Sequence, residues 1–105
     1  MKKLLLTPML VACTALAHGQ AVGDLATVKL ALGCDSVATL DRIMPTLLHG
    51  DSEAKKRALT EVVLSEQCRS IENERVLVVA KAQEYRQVRR ESGQLLWVGV
   101  WDLSP

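Results

Sequence analysis

The chain of 105 residues has no phenylalanine, one tyrosine and two tryptophans. A core built on aromatic stacking is therefore excluded, and the interior has to be aliphatic. Tyr85, Trp97 and Trp101 all fall in the last quarter of the chain. Histidine is nearly absent too, with only His18 and His49. No Ser-His-Asp or Cys-His arrangement surrounds His49, and no histidine or cysteine partner stands at ligand spacing from it. Asp24, Asp35, Asp41 and Asp51 are scattered and offer no carboxylate pair for acid–base work. Gly19, Gly23 and Gly33 form no phosphate loop. These absences predict a protein that is not an enzyme, with no catalytic residue, no metal site and no cofactor. At the end of a helix, His49 reads as a residue that complements the dipole.

Charge of one sign is lacking as well. Removing Lys2 and Lys3 with the N-terminal segment leaves eleven basic and twelve acidic side chains. A nearly neutral chain points to neither a nucleic-acid nor an anionic-membrane partner. Nor does any apolar run reach the roughly 20 residues needed to span a membrane.

What is present begins with an address. Met1-Lys2-Lys3 is followed by an apolar stretch from Leu4 to Ala17, broken only by Thr7, Pro8 and Thr14. A charged start, an apolar middle and a small-residue exit are the parts of a bacterial-type signal peptide. Residues 1–19 are read as that leader, with cleavage near 17–21. Ala15-Leu16-Ala17, Ala17-His18-Gly19 and Gly19-Gln20-Ala21 all serve as small-x-small sites. A rival reading takes Leu10-Val11-Ala12-Cys13 as a lipoprotein signal, in which Cys13 becomes lipidated and holds the protein at a membrane. In either case Cys34 and Cys68 are left as the only pair. In an oxidising compartment such a pair forms a disulfide, which closes a loop of about 35 residues and contributes roughly 3–4 kcal/mol.

Residues 20–33 are weakly patterned and read as a tether or a short helix ending at Gly33. Residues 34–105 read as one small domain. Val37, Leu40, Ile43, Met44, Leu47 and Leu48 have helical spacing, with Pro45 as a kink and His49-Gly50 as the stop. Asp51 or Ser52 caps a second helix with Glu53 in its first turn, and Leu59, Val62, Val63 and Glu66 mark its inner side. Cys34 and Cys68 then flank an antiparallel helical hairpin. Val76-Leu77-Val78-Val79 is β-branched and favours strand. Three strands are predicted at about 75–82, 84–91 and 94–102, with Gly93 in a hairpin turn. A competing reading makes Ser70 through Arg90 one long helix, acidic early and basic late. The fold class is α+β: a disulfide-closed helical hairpin followed by a small antiparallel β-meander. The alternative is a mostly α chain with a short C-terminal strand.

The order Arg75-Val76-Leu77-Val78, Tyr85-Arg86-Gln87-Val88-Arg89, Gly93, Leu96-Trp97-Val98 and Leu103 resembles bacterial Src-homology-3-like domains. The resemblance covers the last third of the chain. Asn73-Glu74 stands where that family has Gly-Thr, and Leu96 where it has glycine. The resemblance implies a small β-barrel that binds peptide or cell-wall material.

Tyr85, Arg86, Arg89 and Arg90 form the one basic cluster. As a strand it places Arg86 and Arg90 on the face of Val88, and Tyr85, Gln87 and Arg89 on the other. Trp97 and Trp101 fall on one face of the last strand. These six residues are the candidate partner-binding surface, weighed against a charged strand edge and a pair of core tryptophans. The function expected is that of a small exported envelope protein, a non-catalytic interaction module acting on a protein or cell-wall partner. The alternatives are a periplasmic accessory or chaperone-like stress protein, and an outer-membrane lipoprotein subunit of an envelope complex.

Overall fold

The computed structural model describes residues 19–105. The leader and the candidate lipidation at Cys13 lie outside the described residues. In order the elements are strand β1 (Leu25–Cys34), helix α1 (Val37–His49), helix α2 (Ser52–Leu64), strands β2 (Cys68–Ala82), β3 (Tyr85–Arg89) and β4 (Leu95–Gly99), a 3₁₀ turn (Val100–Asp102) and strand β5 (Leu103–Ser104).

All strand pairings are antiparallel, and they run in a ring from β1 to β2, β3, β4 and back to β1. The sheet therefore closes on itself. The register that pairs Cys34 with Trp97 continues to the pairs Val28–Leu103 and Thr27–Ser104. β4 and β5 are thus one line alongside β1, interrupted where the 3₁₀ turn lifts away. Val79 is the extra residue of a bulge in β2, between the pairs Val78–Val88 and Ala80–Gln87. Such a bulge sharpens the bend a small closed sheet needs.

The sheet encloses one core and its outer face carries a second. Inside lie Ala26, Val28, Ala31, Ile71, Val76, Val78, Val88, Leu96, Val98 and Leu103, an aliphatic set drawn from every strand. Gly33 belongs here too, because a Cβ would press on the side chains of Ile71 and Leu96. Outside, Leu40 and Ile43 of α1 and Val62 of α2 pack over Cys34, Cys68 and Tyr85. Ser36 caps α1 by accepting from the Thr39 amide, and Asp51 caps α2 by accepting from that of Ala54. Pro45 lies within α1 without ending it.

The expected arrangement, a disulfide-closed helical hairpin followed by a separate meander, is corrected in three respects. Residues 25–34 are neither tether nor helix; they form β1, paired with β2 along its length. The Cys34–Cys68 disulfide is present, but it joins facing residues of two neighbouring strands, with Cα atoms 3.9 Å apart. Both helices are an insertion between β1 and β2, and the disulfide closes the neck of that insertion. Finally, residues 68–82 are one strand, so Ser70–Arg90 is not a helix. β2 begins seven residues before the expected start at 75.

The reason β1 escaped notice lies in its burial. Ala26 and Val28 point inward, then Lys29 and Leu30 are both exposed, then Ala31 and Gly33 point inward. The inward phase slips by one residue midway, which erases the alternation that identifies a strand. β2 slips at the matching place. Ile71 and Val76 are buried on either side of Asn73, whose φ of 47° lies in the left-handed region. Asn tolerates that conformation better than most residues.

Candidate binding groove

The six candidate surface residues do not form one surface. Tyr85 is 7% exposed and packs under the helices. Burial pushes its phenol up, and the Asp41 carboxylate on α1 adds to the shift. Trp97 is half-buried against the same cluster. The expected strand over 94–102 ends at Gly99, so Trp97 and Trp101 do not share a strand face.

Arg86 and Arg90 are occupied within the fold. Arg86 donates from Nε to the carbonyl of Gln20 at 2.8 Å and from Nη1 to those of Gln83 and Tyr85, both at 2.9 Å. It clamps the start of the domain onto the β2–β3 turn. Arg90 holds Glu74 through Nε and Nη2, the shortest contact being 2.8 Å, and also donates to Gln94. The guanidinium holds the Glu74 carboxyl below the usual glutamate range. Of the cluster, Arg89 alone is exposed.

Trp101 is the candidate that reaches a site. It sits on the 3₁₀ turn, half exposed, with its ring folded back over Gly99 and edge-on to Tyr85 at 6.2 Å between centroids. A Cβ at Gly99 would run into that ring, so glycine is what lets the tryptophan lie there. Beside it runs an open groove of about 480 Å³, a size ordinary for ligand sites. Its walls are Leu30 and Leu32 of β1, Met44 and Leu47 of α1, Leu59 and Val63 of α2, and Trp101.

Several of these walls break the expected pattern. Leu59 and Val63 were expected on the inner side of α2, yet they are 38% and 49% exposed while Val62 is fully buried. Leu30 is 66% exposed on a strand. Apolar side chains of four elements, β1, both helices and the 3₁₀ turn, thus face one opening. Sequence reasoning missed Leu30 and Asp102. Leu30 stood in a segment read as a tether or short helix, and Asp102 stood in one read as strand.

Polar groups are few in the lining: Ser70 and Asp102. Asp102 is partly buried, and burial pushes its carboxyl up against a lowering hydrogen bond from the Gly99 backbone. Among the described residues no nucleophile–base pair lines the opening. Among the described residues no cluster of three or more His, Cys, Asp or Glu could hold a metal ion, and no helix is long and apolar enough to cross a membrane. The chain matches no protein-family model, no curated protein and no solved structure.

Proposed function

We propose that this is an exported, non-catalytic interaction module of the cell envelope that binds a protein partner in the groove beside Trp101. The observation that carries the reading is the exposure of Leu30, Leu59, Val63 and Trp101 around one opening. A small domain with few bulky side chains gains most stability by burying them, and these stay in water. Contiguous exposed apolar surface of that kind marks a place where another molecule sits. The leader-like N-terminus and the Cys34–Cys68 disulfide support an oxidising compartment, periplasmic or extracellular. The resemblance of the last third to bacterial Src-homology-3-like domains belongs to the same reading. A small closed sheet is the architecture it implies. An apolar lining with two polar side chains favours a polypeptide over a glycan, whose hydroxyls need many more partners.

Leu30→Asp tests the reading, because a charge on this exposed side chain spoils the groove and spares both cores. Crosslinking in envelope extract should give one stoichiometric partner with the wild type and none with the variant. A partner retained by Leu30→Asp sinks the groove. A broad client set lost together would favour the chaperone-like alternative.

A further inference from the structure

We infer that the segment received by this groove is apolar and carries one basic side chain, which Asp102 binds. The inference rests on the groove reading above and specifies its occupant. Among the described residues Asp102 is the only charged one in a lining otherwise made of Leu, Ala, Met, Val, Trp and Ser. It is held on the 3₁₀ turn next to Trp101 and is partly withdrawn from water before anything binds.

No cation among the described residues pairs with it. Among the described residues the ion pairs are Arg42–Glu61 and Glu74–Arg90. Lys29 and Arg69, neighbours in sequence of the wall residues Leu30 and Ser70, are exposed and outside the lining. An occupant that was apolar throughout would strip the remaining water from Asp102 and leave the carboxylate with the Gly99 backbone hydrogen bond but no counter-charge, which opposes binding. A lysine or arginine in the occupant removes that penalty by pairing with the carboxylate. The indole face of Trp101, half exposed alongside, offers the same cation a second favourable surface. Electrostatic complementarity of this sort fixes the register of a segment in a groove that is otherwise uniformly greasy.

The test uses a phage-displayed library of short random peptides, panned on the processed wild-type protein and counter-selected on Leu30→Asp. Surviving peptides are expected to be apolar with one lysine or arginine. Replacing that residue by glutamine should weaken binding to the wild type about tenfold, the scale of a charge-assisted hydrogen bond. The same replacement should cost Asp102→Asn little, and this coupling separates a direct pair from general loss of affinity. Survivors without a basic residue, or with an affinity unchanged in Asp102→Asn, overturn the inference and leave the groove reading standing. If no binder depends on Leu30, or if soluble wall glycan displaces every one, both fall. A thermal melt of Asp102→Asn confirms that the variant is folded.

Discussion

Asn73 is a single residue on which the path of two strands turns. Its left-handed φ of 47° lets β2 change the face it buries between Ile71 and Val76. A β-branched side chain resists that conformation, at a cost of about 1–3 kcal/mol. Asn73→Val should therefore lower stability by roughly that amount, whereas Asn73→Gly should be close to neutral. Urea unfolding of the two variants distinguishes a backbone effect from a lost contact. Asp102 makes the opposite kind of contribution. Burial raises its folded pKa above the ordinary 3.8, so the folded state holds its proton more tightly than the unfolded chain. The penalty is present in full above the raised folded value and is lifted as pH falls through it toward 3.8. Asp102→Asn should accordingly be more stable than the wild type at neutral pH, and that advantage should vanish in acid. A carboxylate that weakens the fold and stands in an apolar opening is what a binding role would retain.

At the scale of elements, the disulfide marks where an all-strand body gives way to a helical insertion. Among the described residues the inner core contains no helical residue, and the outer core is where buried helix side chains join those of the sheet. Cys34 and Cys68 face each other at the neck, and the next backbone bond, from the Asp35 amide to the Gln67 carbonyl at 2.9 Å, runs beside them. Removing the crosslink frees 34 residues of sequence separation in the unfolded chain. Cys34→Ala/Cys68→Ala should lose about 3–4 kcal/mol in denaturant titrations. Reducing agent should shift the wild type by a similar amount and leave the double variant unmoved. Because the groove walls come from both sides of that neck, groove binding should weaken along with it.

For the molecule as a whole, the first described residues are structural. Gly19 is buried with φ 81° against Ser104 and Pro105, where a Cβ would meet backbone. The side-chain amide of Gln20 donates to the Val100 carbonyl at 3.1 Å, and its own carbonyl accepts from Arg86. A cut after Gly19 or Ala21 would remove parts of this lock; a cut after Ala17 spares it. If the chain is exported as proposed, intact mass of the mature form should place His18 first, and a mature chain starting at Val22 would contradict that.

Much of the local chemistry could be read in advance. Gly93 was recognisable as the turn residue of the β3–β4 hairpin, where it adopts φ 94°. The cap of α2 was narrowed to Asp51 or Ser52, of which Asp51 fills the place, and Cys34–Cys68 was the one pairing left by subtraction. Each depends on a residue and its immediate neighbours. The face-switch at Lys29 and Leu30 hid β1, since alternation is visible only while one face stays buried. The groove was hidden for a related reason: Leu30, Leu59 and Trp101 carry no sign of whether neighbouring elements will cover them.

The amino-acid order by itself determined the aliphatic core, the caps, the turn glycine and the sulfur pair. These follow from side-chain size, backbone φ and the shortage of alternatives. Only the closed sheet decided that the helices are an insertion, that the disulfide binds two strands, and that a set of apolar side chains stays exposed beside the Asp102 carboxylate. Those outcomes depend on which surfaces meet across long stretches of chain, a matter of packing between elements that no local pattern records.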